Sequence, residues 1–462
     1  MKRESNPDVK IGLEIHGYLQ TREKLFCNCK AQRHATKQEI KPNSFICPTC
    51  TGQPGCKPML PNAEAIKKII QIGLILGCKI NPEFVWQRKH YDWPDLPKGY
   101  QNTVSGSYAI PCCENGKFKG IGITDVHLEE DPAAWNPETG CIDYNRSGLP
   151  LCEIVTEPDF RNSEDVAEWL KSMVLALSYL KAVDKNAGIK VDTNVSINQE
   201  RGKARVEIKN ITSIEDVKAA IEFEIKRQEK EGTSRETRRW DSQKKETIKM
   251  REKEEAADYR FIPDPDLPIV KIDKKRVEKL KAELPETPEE KLKKLVKTHE
   301  IDKKSAEILA NNFELVEFFE KVITKINPKL ALSWTTGELL RVLNYNKKTL
   351  GEIEINPEHF IQLLELVQKN KLTELKAKQM LNDFVPKSFS PLQEAKKSEK
   401  ITDKAELSKI IEKVLKANEK AVSDYKSGNQ NSLNFLMGEV MKASDKRADF
   451  KSALEILKGK LR

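Results

Sequence analysis

The sequence predicts an α+β chain: a mostly antiparallel, sheet-rich first region carrying a zinc ribbon, then a helical domain and a small helical tail. Three observations predict it. Up to about residue 285 the chain is rich in Gly, Pro and aromatic residues and in short alternating apolar runs, the texture of strands and loops. Within that region four cysteines are spaced as two turns of a metal-binding ribbon. Beyond about residue 289 apolar residues recur at helical spacing. A chain of 462 residues exceeds one compact core. The expected divisions are 1–288, with the ribbon at about 27–50, then 289–395 and 402–462.

In the first region, successive side chains of a strand point to opposite faces. In Val9-Lys10-Ile11-Gly12-Leu13-Glu14-Ile15-His16 the apolar residues point one way, so Glu14 and His16 share the other face. Val191, Thr193 and Val195 likewise leave Asp192, Asn194 and Ser196 together, and Glu207 and Lys209 lie opposite Val206 and Ile208. Alternation alone favours a sheet with one wet side, as antiparallel sheets commonly have, over a concave site.

The ribbon is Cys27-x-Cys29, seventeen residues, then Cys47-x-x-Cys50. Four thiolates complete a tetrahedron and leave no open position for water, so the zinc would be structural. Cys56, Cys78, Cys112, Cys113, Cys141 and Cys152 lack matching spacing and are expected in the core or on the surface.

In the second region Leu309, Phe313, Val316, Phe319 and Ile323 form the apolar stripe of one amphipathic helix. Pro386 to Pro391, with the charged run Lys396 to Lys400, is expected to be a hinge before the charged tail. Net charge is +9, from 80 basic and 71 acidic residues. That permits a polyanionic partner without requiring one. The first residues form no secretory signal, and Ile69–Ile80 is too short for a bilayer, which needs roughly 18–20 apolar residues. A cytoplasmic chain is expected, with no membrane partner.

Two further segments weigh against the wet-sheet reading. His127-Leu128-Glu129-Glu130-Asp131 places three carboxylates together, and Glu153 sits in the apolar run Leu149 to Val155. A carboxylate in a buried strand is costly unless paired or metal-bound. Glu14, Glu129, Glu130 and Glu153 with a histidine would make a cage for Mg²⁺, a hard cation that prefers oxygen ligands. Alternation puts Glu129, and not Glu130, on the face of His127.

Taken in order, these segments resemble the GatB/GatE family of aspartyl/glutamyl-tRNA amidotransferase subunits. The resemblance rests on Gly12-Leu13-Glu14-Ile15-His16, Pro94-Asp95-Leu96-Pro97-Lys98-Gly99-Tyr100-Gln101 and His127 to Asp131. It continues through Asp143-Tyr144-Asn145-Arg146-Ser147-Gly148, Glu153 to Asp159, Glu207-Ile208-Lys209-Asn210 and Asp258 to Pro268. Asn434 to Met441 resembles the family's small YqeY-like tail domain. Two departures stand out: Tyr91-Asp92-Trp93 replaces an aromatic run, and Ala443 to Asp449 is poorer in glycine than is usual.

The resemblance implies a cradle-shaped catalytic domain and a ligase reaction driven by ATP and Mg²⁺. The side-chain carboxylate of mischarged Asp-tRNA(Asn) or Glu-tRNA(Gln) is phosphorylated, then amidated by ammonia channelled from a glutaminase partner (GatA). A small linker protein (GatC) would complete a heterotrimer. It carries a catalytic and Mg²⁺-binding role to Glu14, His16, Glu129, Glu130 and Glu153, with either Glu129 or Glu130 able to bind metal. Lys209, Asn210, Asp192, Asn194 and Arg260 would form the ATP and phosphate contacts. Lys291, Lys294, Lys297, Lys303 and Lys304 would meet tRNA phosphates. His34, His299 and His359 are expected on the surface.

The ATP step rests on the resemblance alone, because the sequence has no G-x-x-x-x-G-K-[ST] loop and no kinase catalytic loop. A non-catalytic zinc-ribbon RNA adaptor is the competing class, though it gives no reason to gather carboxylates. An archaeal Glu-tRNA(Gln)-specific GatE-type protein shares the first region, but its usual large insertion finds little room in 462 residues.

Overall fold

The computed structural model describes residues 9–32, 40–184, 188–197, 205–232, 235–252, 259–395 and 400–461. His34, Asp258 and residues 396–399 of the expected hinge lie outside them. The chain divides into two compact units, residues 1–287 and 288–462.

The first unit is built on a 12-stranded sheet. Ten of its strands form one path: β1 Val9–Tyr18, β2 Gln87–Lys89, β3 Gln101–Thr103, β4 Ile121–Glu130, β5 Pro150–Thr156, β6 Ile189–Ile197, β7 Val206–Ile211, β8 Glu236–Asp241, β9 Glu246–Glu252 and β10 Ile262–Pro263. Their spatial order is β9-β8-β7-β6-β1-β5-β4-β3-β2-β10. Pairing is antiparallel except between β7 and β8, which run parallel through a helical crossover, as parallel neighbours require.

One face of the sheet is apolar, as alternation predicts. Ile11, Leu13 and Ile15 of β1, Ile154 of β5 and Val195 of β6 join a core with three helices. These are α1 Ala63–Ile75, α2 Ser163–Leu180 and α3 Ile214–Glu231. Each starts where a side chain can accept from its otherwise unpaired first-turn N–H groups. Asn62 receives Glu64 and Ala65, Asn162 receives Asp165, and Ser213 receives Asp216. With three helices covering one side, the polar side of β1 and its neighbours is left open.

The second unit is helical. The predicted stripe is two helices, not one: Lys303–Ala310 carries Leu309, and Phe313–Val322 carries Val316 and Phe319. The break falls at Asn312, whose side chain caps the second helix by accepting from the Leu315 N–H at 3.0 Å. A periodicity of three and four passes through such a break unchanged, because the new helix restarts in phase. Residues 386–388 are tied back to the fold, with Glu354 N–H donating to the Pro386 carbonyl and Ser388 N–H to that of Glu354. From Ile401 to Leu461 the chain forms its own apolar cluster, including Leu436, Met437 and Val440. His299 and His359 are half-buried instead of exposed. Of the five lysines singled out, Lys291 pairs with Glu320 at 2.8 Å, and the other four are exposed. Among the described residues no helix is long and apolar enough to cross a membrane.

Candidate active site

Register converts the separate strand faces into one row. His16 of β1 lies opposite Glu153 of β5, and Glu153 opposite His127 of β4. On the other side Glu14 lies opposite Asp192 of β6, and Asn194 opposite Glu207 of β7. Neighbouring positions on β4, β5, β1, β6 and β7 thus present ionisable or polar groups to one side.

The first cluster centres on Glu153. Its Oε2 lies 3.2 Å from His16 Nε2 and 3.4 Å from His127 Nε2. Glu129 Oε1 lies 3.8 Å from His127 Nε2. His127 Nδ1 contacts Asp125 at 2.5 Å, which fixes the ring. Burial alone would depress His16, but Glu153 outweighs it and pushes the imidazole up to about 9. Burial works against charge on Glu153 as well, yet His127 and His16 hold the carboxyl well below its usual range. For Glu129 burial again opposes ionisation, and Lys89 and His127 overcome it.

The second cluster is Glu14, Asp192 and Glu207. Asn194 donates to Glu14 at 3.0 Å, and the Lys209 ammonium spans Asp192 at 3.0 Å and Glu207 at 2.8 Å. A bulge in the β6–β7 pairing beside Asp192 puts Asn210 in a left-handed conformation, φ 61°, and turns its N–H onto Asp192 at 2.7 Å. Such bulges re-aim side chains at sites. Burial first, then Glu153 and Glu207, raise the Glu14 carboxyl above its usual value. Burial opposes charge on Lys209, but Asp192 and Glu207 hold it protonated.

Of the two adjacent glutamates, only Glu129 joins the row. Glu130 follows the alternation to the other side, where Lys98 binds it at 2.6 Å and burial raises its carboxyl. Arg260 sits at the rim, paired with Asp92 at 3.1 Å and well exposed. That pair also shows what the unusual Asp92 does here.

The residues fit a hard divalent cation. Donor atoms of His16, Glu129 and Glu153 lie within 4.8 Å of one another, as do those of Glu14, Asp192 and Glu207. Asn194 Oδ1 is buried beside them without a hydrogen-bond partner, and a buried orphan of that kind calls for an explanation. A cation at His16 would displace the proton that the imidazole holds.

Above the row lies a cavity of about 1070 Å³, lined among others by His16, Lys89, Glu129, Asp192, Lys209 and Arg260. Its lining includes residues that sequence reasoning did not assign. Lys89 and Gln101 enter from short strands, and Gln101 donates to Glu129 at 3.1 Å. Tyr18 donates to Asp131 at 2.8 Å, and Arg146 reaches the same carboxylate at 3.2 Å. The resembling segments containing Gln101, Asp131 and Arg146 were the available signal; nothing in the sequence marked Lys89.

The four ribbon cysteines come together, their sulfurs within 4.8 Å of one another. Cys27 and Cys50 are buried. Cys78, Cys112, Cys113 and Cys152 are also buried, while Cys56 and Cys141 are exposed.

Comparisons with known proteins match most of the chain. Residues 9–278 match the model of the GatB/GatE catalytic domain, and residues 317–461 that of the GatB domain. The B subunit of the aspartyl/glutamyl-tRNA(Asn/Gln) amidotransferase from Methanopyrus kandleri is 41% identical over 98% of this chain and 99% of its own. Proteins of the same description from Methanocaldococcus jannaschii and Methanothermobacter thermautotrophicus are each 40% identical over 98% of this chain, and over 98% and 100% of their own.

Proposed function

The chain belongs to the GatB/GatE family, and from that premise we propose that it activates and amidates the side-chain carboxylate of mischarged Asp-tRNA(Asn), Glu-tRNA(Gln) or both. The observation that carries the reading is the row of carboxylates, imidazoles and Lys209 across neighbouring strands, whose His16, Glu129, Asp192 and Lys209 line a cavity of about 1070 Å³. An RNA adaptor has no use for such a row.

The substrate carboxylate attacks the γ-phosphorus of ATP, forming an acyl phosphate and releasing ADP. Ammonia then attacks the acyl carbon, the C–O bond to phosphate breaks, and nitrogen gives up a proton as the amide forms. A free carboxylate is a poor electrophile; phosphorylation turns one of its oxygens into a leaving group. Lys209, clamped by Asp192 and Glu207, is a point charge suited to a phosphate oxygen. Arg260, at the rim, supplies a second cation. Asn194 fixes Glu14, and Gln101 fixes Glu129. Glu14, His16, Glu129, Glu153, Asp192 and Glu207 are the side chains that would hold Mg²⁺. Bound there, Mg²⁺ would offset negative charge on the transferring phosphoryl group. Glu130 is assigned instead to holding Lys98.

Cys27, Cys29, Cys47 and Cys50 would hold structural Zn²⁺. The chain would work in the cytoplasm as part of a heterotrimer with a glutaminase (GatA) and a small linker (GatC). The helical region 289–395 and the tail 402–462 would act as separate domains that meet the tRNA backbone. The end-to-end match to GatB-type relatives favours this over a GatE-type protein.

Glu14→Gln tests the reading in the reconstituted complex supplied with ammonia, ATP and mischarged tRNA. Loss of tRNA-dependent ATP hydrolysis, with tRNA binding retained, is expected. Hydrolysis at the wild-type rate would remove Glu14 from the site.

A further inference from the structure

Lys24 is a buried charge that the chemistry above does not use. It is 1% exposed, and its ammonium donates to the Tyr144 carbonyl at 3.0 Å and to Cys50 Sγ at 3.5 Å. No ion pair of Lys24 with a carboxylate occurs among the described residues. A buried ammonium is costly unless negative charge lies beside it, and here the candidate is sulfur. Four thiolates around one divalent cation carry a net charge of −2, so a lysine against Cys50 suits the metal-loaded cluster.

The same lysine touches the loop that forms the cavity wall. The Leu25 N–H donates to the Gly148 carbonyl at 2.8 Å, and Ser147 Oγ to the Cys50 carbonyl at 2.7 Å. Asn145, 2% exposed, accepts from Phe45 N–H at 2.8 Å and donates to the Lys41 carbonyl at 2.9 Å. Between these anchors lies Arg146, whose guanidinium reaches the Pro132 carbonyl at 2.9 Å and the Ala133 carbonyl at 2.6 Å as it lines the cavity. Just after Cys50 the chain also runs close to a segment whose Asp95 and Gln101 line the cavity. Gly52, at φ 66°, lies so close to the Pro97 carbonyl that any side chain there would collide with it.

We propose that Lys24 is a positioning residue that couples metal in the four-cysteine cluster to the Tyr144–Gly148 loop, and through it to the Arg146 wall of the cavity. The cluster is then a brace for the cavity, beyond its local role in folding. The metal does not reach the reacting atoms; its occupancy sets the shape of the wall. This rests on the zinc assignment and not on the ATP or tRNA assignments, so the two can fail separately.

The test uses the full chain, with zinc content verified, and needs neither ATP nor tRNA. Lys24→Met keeps most of the stem and removes the charge. It should release zinc to a colorimetric chelator ~10-fold faster than wild type or more, the scale on which partners of metal ligands act. In the wild-type chain, removing zinc should raise hydrogen exchange at the Tyr144–Gly148 amides, while β1 and β6 stay protected. Equal zinc release from the two proteins overturns the proposal, as does exchange in the loop that is indifferent to zinc. If Lys24→Met fails to fold, the wild-type exchange experiment decides alone.

Discussion

Glu153→Gln is expected to lower tRNA-dependent ATP hydrolysis by ~10²–10³-fold, the scale of losing one preorganised electrostatic contact at a reacting centre. The substitution keeps the size of the side chain and removes its charge. Glu153 Oε2 stands 3.2 Å from His16 and 3.4 Å from His127, so a single oxygen bridges both imidazoles. Burial works against its charge, yet the two histidines hold the carboxyl well below its usual range. With an amide in its place, the site loses an anionic donor and both imidazoles lose their shared counter-ion. Glu129→Gln should share the loss. Glu130→Gln should keep most activity, because its amide oxygen can still accept from Lys98. Hydrolysis assays with each variant, alongside a gel-shift measurement of tRNA binding, check this. Undiminished hydrolysis by Glu153→Gln would exclude a catalytic role for the row.

The second large effect is on stability. Glu224 of α3 is fully buried, and its carboxylate receives Arg227 at 2.6 Å, Gln228 at 2.9 Å and Thr247 at 2.9 Å. Arg238 lies 3.7 Å away. Glu236 meets the same guanidinium of Arg227 at 3.0 Å, so two buried carboxylates face two arginines, with the exposed Glu231 adding a contact to Arg227 at 3.2 Å. Glu224→Ala would remove the fully buried carboxylate that both arginines face, leaving Arg227 with Glu236 and the exposed Glu231 and Arg238 with Glu236 alone. Breaking a buried pair from one side costs about 3–5 kcal/mol. The denaturant midpoint of the first unfolding transition, followed by Trp emission, should fall accordingly. A change within about 0.5 kcal/mol, the ordinary range of surface substitutions, would contradict this account of the network.

The row was half legible from the sequence, and the reason is physical. Alternation is a property of a single strand, so Glu14 with His16, and Asp192 with Asn194, could be placed on common faces without knowing any partner. Register is a property of two strands far apart in sequence. It is the pairing of His16 with Glu153, and of Glu14 with Asp192, that splits Glu14 from His16 into different clusters. The sequence grouped all the glutamates into one cage. Alternation favoured Glu129 over Glu130, and the Lys98 contact shows where Glu130 goes instead. Glu207 was placed on a polar face but not in a donor set, because its neighbours come from β6 and β1. Lys24 could not be found at all: one lysine beside a cysteine motif looks like any surface lysine until its burial is known. The helix break at Asn312 was missed for a different reason, since capping competes with helix propagation at a residue able to do either.

The central claim, that this chain makes an acyl phosphate on the charged amino acid, is tested most directly by oxygen transfer. Mischarged tRNA carrying ¹⁸O in the side-chain carboxylate is supplied to the reconstituted complex with ATP and ammonia. Phosphate released with the amide should contain one ¹⁸O taken from that carboxylate, because the C–O bond breaks when nitrogen attacks. Phosphate free of ¹⁸O, with amide formed at the normal rate, would contradict the account.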